Sequence, residues 1–186
     1  MRQVAGHSAP RIDKALTAEA STCPACLDSA VLESLQWADL PAFEGLVSRS
    51  GEADEGWTLH TLSRSLVNWP TADDRTLVGL TCHGAGHRAP ARLIGVAGLV
   101  PDPRNPQEAQ LSILVDPLHR QQGFGGQLLD AILRIADARG YQSASARTRA
   151  DNLAFMHLMV GHGFLASSHP GSEPILLHRS LGGLPD

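Results

Sequence analysis

The stretch from Leu114 to Leu133, LVDPLHRQQGFGGQLLDAIL, constrains the fold more than any other part of the chain. An apolar segment enters it, Pro117 interrupts it, glycines crowd positions 123–126, and a helical apolar pattern starts at Leu128. A strand, a glycine turn and a helix N-terminus make an anion site, because the first N–H groups of a helix lack partners within it and its dipole favours negative charge. Arg120 adds a charged donor. The turn is therefore predicted to bind a phosphate or a pyrophosphate.

Two common phosphate-binding turns do not fit this stretch. A P-loop needs Gly-Lys-Ser/Thr, which is missing. A Rossmann turn needs G-x-G-x-x-G after a parallel strand, whereas the order here is Gly-Phe-Gly-Gly and the preceding strands are predicted to be antiparallel. A turn with a purely structural role is the remaining alternative on the glycines alone.

The rest of the chain predicts an α+β domain with a mixed, mostly antiparallel central sheet flanked by helices. The expected order is β α α β β β α β α β β. Strands are predicted at Ala30–Gln36 and in segments that begin at Arg75, Ala91, Glu108, Tyr141, Phe164 and Ile175. Helices are predicted after Asp39, at Trp57–Val67, from about Leu128 to Gly140, and after Asp151 or Asn152.

Length and composition favour one compact domain. The 186 residues, 42% of them hydrophobic, allow a single core at residues 30–181, with residues 1–29 as an extension and 182–186 as a tail. A net charge of −4 gives no indication of a nucleic acid or an anionic membrane as partner. The longest apolar run, Leu93–Val100, is too short to span a membrane. We expect a cytoplasmic protein.

Three cysteines are an odd number, which argues against a disulfide scaffold and favours a reducing compartment. Cys23 and Cys26 form a C-x-x-C pair that suggests zinc, with Cys82, His83 and His87 as further candidate ligands. A lone pair without a matched second pair is weak evidence, so no metal is predicted.

Two separated motifs resemble the Gcn5-related N-acetyltransferase (GNAT) superfamily. VDPLHRQQGFGGQLL is similar to its acyl-CoA motif, Val-x-Pro followed by Arg/Gln-x-x-Gly-x-Gly/Ala and a helix. NLAFMHLMVGHGF is similar to its later helix, which begins at an Asn and ends at Gly-Phe; here these are Asn152, Gly163 and Phe164. A weaker match, VLESLQWADLPAFEGL, is similar to its first strand and helix. The resemblance covers about residues 30–181.

The resemblance implies acetyl-CoA or another acyl-CoA as cosubstrate. Backbone N–H groups of the glycine turn would bind the pyrophosphate, the strand edge would pair with the pantetheine amides, and the later helix would add an amide and a ring. The implied residues are Ile113, Leu114, Val115, Arg120, Gln121, Gln122, Gly123, Phe124, Gly125, Gly126, Asn152 and Phe155. His119, inside the motif, is expected to face solvent near the phosphates.

Catalytic residues are harder to assign. The Tyr that protonates the thiolate in many family members corresponds to Met159, and the only Tyr, Tyr141, lies on another element. The Glu common on the fourth strand corresponds to Gln110, which can orient an amine or a water but cannot take its proton. Glu108 shares the face of Gln110 and could act as base. His157 is a third candidate, because histidine titrates near neutral pH.

We therefore expect an N-acetyltransferase that transfers an acetyl group directly to a primary amine of a small molecule or protein, within a ternary complex. Neither nucleic acid nor membrane is expected as a partner, and a homodimer is left as an alternative. The missing Tyr and Glu raise a second hypothesis, an acyl-CoA-binding or regulatory module that has lost catalysis.

Overall fold

The computed structural model describes residues 30–35, 39–50, 76–82, 92–167 and 174–182. The predicted extension 1–29, the predicted helix Trp57–Val67 and residues 183–186 lie outside the described residues. The strands are β1 Ala30–Ser34, β2 Thr76–Cys82, β3 Arg92–Pro101, β4 Glu108–Val115, β5 Ser143–Thr148, β6 Leu165–Ala166 and β7 Ile175–Ser180; the α-helices are α1 Leu40–Ser50, α2 Phe124–Ala138 and α3 Leu153–Gly161.

The seven described strands form one sheet in the order β1-β2-β3-β4-β5-β7-β6. Every neighbouring pair is antiparallel except β4 and β5, which run parallel because α2 connects them as a crossover. This arrangement confirms the predicted α+β class with a mixed, mostly antiparallel sheet. β3 and β4 begin within one residue of their predicted starts.

Two hydrophobic clusters lie on the two faces of the sheet. On one face, α2 buries a stripe that includes Leu128, Leu129 and Ile132, and Met159 of α3 joins the same cluster. On the other face, Phe43 and Leu46 of α1 form the smaller cluster. Each fully buried side chain of this size contributes roughly 1.5–3 kcal/mol. Because α1 and α2 take opposite faces, the sheet is the middle layer.

The strand β4 alternates between these two faces. Leu111 and Ile113 belong to the α2 cluster, whereas Leu114 belongs to the α1 cluster. Since side chains alternate along a strand, Gln110 and Ser112 lie on the α1 face with Leu114. This alternation places Leu111 and Ile113 on the face covered by α2, and Gln110 and Ser112 on the face covered by α1.

The helix α2 ends near the residue that the sequence indicated. Its last helical residue is Ala138, and Gly140 has a φ of 78°, a left-handed conformation that glycine adopts without a steric penalty. The N–H of Gly140 donates to the carbonyl of Asp137, which closes the last turn. β5 follows three residues later.

Cys82 lies in the core at the end of β2 and is disulfide-bonded. A disulfide at this residue was not predicted from the sequence. A sulfur within a disulfide is not a thiolate, so Cys82 is also removed from the candidate zinc ligands. No helix among the described residues is long and apolar enough to span a membrane.

Candidate active site

Part of one edge of β4 has no strand partner among the described residues. The parallel pairing with β5 joins Glu108–Gln110 to Ser143–Ser145 and ends there. Beyond it, β4 stays paired with β3 as far as Val115, while β5 stays paired with β7. The two parallel strands thus separate after Gln110, and the β5-facing edge of β4 from Leu111 to Val115 can pair with an extended ligand.

A short 3₁₀ helix, Pro117–His119, turns the chain out of β4 towards α2. Asp116 is its N-cap, and its Oδ1 accepts the N–H of Leu118 at 3.0 Å. Pro117 occupies the first helical position, where the missing N–H costs nothing. Asp-Pro therefore stops the strand and starts the turn at the end of the free β4 edge.

The glycine turn places the N-terminus of α2 next to that edge. Gln121 and Gly123 both have positive φ, 61° and 83°, and Gly123 is the N-cap of α2. The N–H groups of the first turn after Gly123 have no partner within the helix, and that turn contains no acidic residue. Backbone dipoles and the lack of an acidic residue in the first turn make this terminus suitable for an anion.

The helix α3 supplies the opposite wall. Asn152 is its N-cap, and its Oδ1 accepts the N–H of Phe155 at 3.1 Å. This bond fixes the side chain and leaves the amide NH₂ as the group that can donate to a ligand. Phe155 and Leu158 present apolar surface on the same side of the helix.

These elements enclose a cavity of about 440 Å³. It joins the free edge of β4, the glycine turn and α3 in one continuous surface, and none of the described residues that line it is a carboxylate. The lining residues are Ile113, Leu114, Val115, His119, Arg120, Gln121, Gly123, Gly125, Asn152, Ala154, Phe155 and Leu158.

Most of the residues expected to bind CoA line this cavity, and the exceptions are Gln122, Phe124 and Gly126. The side chain of Gln122 turns back to the carbonyl of Leu118, and Phe124 is buried in the core. Gly126 faces the ring of His162. The backbone N–H groups of Phe124 and Gly126 belong to the first turn of α2. Anion binding at the helix N-terminus requires these backbone groups and not the side chains.

Arg120 lies at the mouth of the turn. Its Nε donates to the carbonyl of Val115 at 3.2 Å, and its side chain is exposed. This bond holds the guanidinium close to the last residue of β4, between the free edge and the N-terminus of α2. Arg120 is thus placed where it can pair with a phosphate group.

The prediction that His119 faces solvent is wrong. The 3₁₀ helix folds its ring under the turn, where the residue is 4% exposed and its ring centroid lies 6.3 Å from that of Phe124. His119 lines the cavity, as do Ala154 and Leu158, which the sequence reasoning did not single out. Helical spacing from Phe155 could have indicated Leu158, since residues three apart share a face.

Asp116 forms a charged cluster near the site with two arginines, and sequence reasoning did not identify it. The residue is 1% exposed, and its Oδ2 accepts Arg49 Nε of α1 at 2.7 Å and Arg92 Nη2 of β3 at 3.0 Å. Burial raises the pKa of Asp116, but the bonds from Arg49, the Leu118 N–H and Arg92 outweigh it and hold the pKa below its ordinary value. The cluster joins α1 to the turn.

The three candidate catalytic residues do not line the cavity. Gln110 donates its side-chain amide to Asp102, and Glu108 is half-buried at the start of β4. His157 is exposed on α3, on a different side from Phe155. Met159, at the position of the family's Tyr, is fully buried in the core rather than pointing into the cavity. The roles of Glu108, Gln110 and His157 stay predictions.

Replacing Asn152 with alanine is expected to lower the free energy of unfolding by about 1 kcal/mol, because α3 loses its N-cap. The same change removes a donor from the cavity wall and should weaken CoA binding roughly 5-fold, the effect of one hydrogen bond. Asn152→Ser is the matched control, since serine keeps the cap but is too short to donate into the cavity. It should retain stability and lose affinity; full affinity would contradict the ligand contact.

The sequence and the fold both match known acetyltransferases. The model of the Acetyltransferase (GNAT) family matches residues 33–164. A mycothiol acetyltransferase of Renibacterium salmoninarum is 30% identical over 103 residues, 55% of this chain but only 30% of the relative's length. The chain thus spans less than a third of that curated relative.

Two solved structures illustrate the likeness of fold. The ribosomal-protein-S18-alanine N-acetyltransferase of Escherichia coli has a TM-score of 0.60 at 20% identity, with 84% of this chain and 97% of that one covered. The putative acetyltransferase yncA of Salmonella typhimurium, solved with acetyl-CoA, has a TM-score of 0.66 at 17% identity, covering 86% and 99%. With the family match extending over most of the chain, this protein belongs to the GNAT family of acetyltransferases.

Proposed function

We propose that this chain transfers an acetyl group from acetyl-CoA to a primary amine of a small molecule or a protein. One observation carries the proposal: the cavity joins an unpaired strand edge to a helix N-terminus with a cation beside it. An acyl-CoA has the matching parts in the matching order, namely pantetheine amides and then a pyrophosphate. The family membership supports acetyl transfer as the reaction class.

The backbone carries most of the proposed binding. N–H groups between Gln121 and Gly126 would hold the pyrophosphate with Arg120 beside it, and β4 from Ile113 to Val115 would pair with the pantetheine. Asn152 would donate to the pantetheine arm, and Phe155 would pack against it. The apolar wall on α3 would exclude water from one side of the pantetheine arm.

The proposed reaction is a direct transfer between two bound substrates. The new C–N bond forms as the C–S bond breaks; the acceptor ammonium gives up two protons, one to the CoA thiol and one to solvent. A β4 backbone N–H would stabilise the carbonyl oxygen as charge develops. Holding the two substrates together accounts for much of the rate in such a reaction, even without a strong acid or base.

The burial of Met159 favours a second candidate, an acyl-CoA-binding module without catalysis. A thioether deep in the core cannot protonate a leaving thiolate, and the described cavity lining offers no carboxylate as base. Thiol release from acetyl-CoA with a panel of amines separates the two candidates. The panel should contain 1,4-diaminobutane, lysine and an alanine-terminated peptide. If the protein binds CoA tightly but acetylates none of these amines, the result supports the acyl-CoA-binding module and contradicts the acetyltransferase.

Arg120→Ala is expected to raise the KM for acetyl-CoA by about 10-fold with little change in kcat, because a charged hydrogen bond to phosphate contributes roughly 1.5–3 kcal/mol. The effect should shrink at high salt, where the charge is screened. Arg134→Ala, on the exposed side of α2, removes the same charge away from the cavity and should change neither value. Equal KM values for all three proteins would contradict phosphate binding at this turn.

A further inference from the structure

The α1 face of the sheet carries polar groups where β4 and β5 separate. Gln110 and Ser145 are paired across the two strands. The next residues on this face are Ser112 and Arg147, because side chains alternate. The neighbouring residues Ala144 and Ala146 point into the α2 core, which confirms the assignment of faces. This polar face therefore begins at the point where the free edge of β4 starts.

Asp102 reaches this face from the turn between β3 and β4. Its Oδ2 accepts the side-chain amide of Gln110, and its Oδ1 accepts the N–H groups of Arg104 at 2.7 Å and Asn105 at 3.3 Å. An ionised carboxylate offers about four acceptor sites, so these bonds leave one site on Oδ2. Asp102 and Gln110 are both half-buried, so this carboxylate–amide pair is partly exposed to solvent.

Asp102 stays ionised at neutral pH. Burial raises the pKa of its carboxyl, but the N–H of Arg104, the amide of Gln110, the N–H of Asn105 and the charge of Arg147 outweigh it and lower the pKa. This carboxylate differs from Asp116, which is enclosed and paired with two guanidinium groups on its Oδ2. Of these two carboxylates, only that of Asp102 is both held in place and partly exposed to solvent.

The location relative to the cavity gives this carboxylate a role. Under the proposed function, the pyrophosphate lies at the glycine turn and the pantetheine follows β4 from Val115 towards Leu111. The thioester end then lies near the separation of the strands, at Gln110 and Ser145. Gln110 and Ile113 are about 10 Å apart along the strand. Asp102 is one hydrogen bond from Gln110, and it lies on the opposite face from the α2 helix.

We infer that Asp102 binds the protonated amine of the acceptor beside the thioester, and that the acceptor is therefore a cationic aliphatic amine. Gln110 is a positioning residue that holds the carboxylate over the point where the strands separate. Through this hydrogen bond, Gln110 of β4 holds a carboxylate from the neighbouring turn. This inference rests on the proposed function and names its substrate class.

The test is the steady-state kinetics of Asp102→Asn with 1,4-diaminobutane and an alanine-terminated peptide as acceptors. Asparagine keeps an oxygen for the Arg104 and Asn105 N–H groups, so the turn should persist. We expect the KM for the amine to rise at least about 10-fold, because the hydrogen bond to an ionised group is lost. The KM for acetyl-CoA should not change, and the melting temperature should fall only slightly, because the turn keeps its backbone hydrogen bonds. Asp137→Asn, exposed on α2, is the matched control and should behave as wild type.

A double variant distinguishes charge from shape. Asp102→Asn combined with Gln110→Glu exchanges the two groups, keeps an amide–carboxylate hydrogen bond and returns the negative charge to β4. It should recover a large part of the lost amine affinity. The inference is overturned if Asp102→Asn leaves the amine KM within about 2-fold, if both KM values rise together, or if the double variant recovers nothing. Absence of wild-type turnover with every amine would instead refute the proposed function.

Discussion

Replacing Asp116 with alanine is expected to lower the free energy of unfolding by about 3 kcal/mol. The change leaves two guanidinium groups without their shared carboxylate and removes the acceptor for the Leu118 N–H. Arg49 and Arg92 are 33% and 46% exposed, so solvent screens part of the ionic contribution and the lost hydrogen bonds make up most of the loss. Chemical denaturation measures this difference directly.

The same variant should weaken CoA binding, because Asp116 fixes the 3₁₀ helix that carries the chain from β4 to the glycine turn. Asp116→Asn is the informative companion, since its amide oxygen can still accept the Leu118 N–H while the charge is lost. We expect it to keep most CoA affinity but little of the ionic stabilisation. A loss below about 1 kcal/mol in Asp116→Ala would show that the cluster contributes little to stability.

The contribution of this carboxylate should also depend on pH. The pKa of Asp116 lies below its ordinary value of 3.8 in the folded chain, so the unfolded chain takes up its proton first as the pH falls. The stabilisation is complete well above pH 3.8 and disappears as the pH falls through the folded pKa. The difference in unfolding free energy between wild type and Asp116→Asn should therefore be constant near pH 7 and decrease below about pH 4.

Gly125→Leu is expected to abolish detectable CoA binding while the fold persists. A Cβ at this position would lie 3.1 Å from Leu158 Cδ2, and a longer side chain would fill the cavity between the first turn of α2 and α3. We expect affinity to fall at least about 100-fold, or ~2.7 kcal/mol. Titration calorimetry with CoA measures the loss, and circular dichroism checks that helix content is retained.

The control for Gly125→Leu is Gly161→Leu. Gly161 lies at the end of α3, and a Cβ there meets no heavy atom within 4 Å. It adds the same side chain to a helix end away from the cavity and should leave CoA affinity unchanged. A Gly125→Leu protein that folds and still binds CoA normally would mean that the cofactor does not pass between α2 and α3.

Much of the fold could be predicted because its signals are local. The apolar period of α2, the Asp-Pro stop after β4, and Gly140 at the helix end each act within a few residues. The CoA-binding prediction also rested on local features, since the glycine turn and its helix N-terminus are consecutive in sequence. Most of the residues expected at that turn line the observed cavity.

The contacts that the sequence reasoning missed depend on how separate elements pack against one another. Arg49 is 67 residues from Asp116, and nothing in either neighbourhood indicates that they meet. His119 was expected to face solvent near the phosphates, but the 3₁₀ helix turns its side chain inwards. In the sequence, Gln110 was noted only because it stands where a glutamate was expected. Its hydrogen bond to Asp102 depends on the turn between β3 and β4, which the sequence did not reveal.

The sequence by itself determined the fold class and the glycine turn before α2, because periodicity, capping and glycine conformation are properties of neighbouring residues. Only the tertiary structure decided that β4 has a free edge, because a strand cannot indicate where its partner will separate from it. It also decided that Met159 belongs to the core and that Asp102 reaches the face beside Gln110. Packing sets the positions of Met159 and Asp102. Contacts between segments that are far apart in sequence form only when the folded sheet brings them together, so they leave no local signal in the sequence.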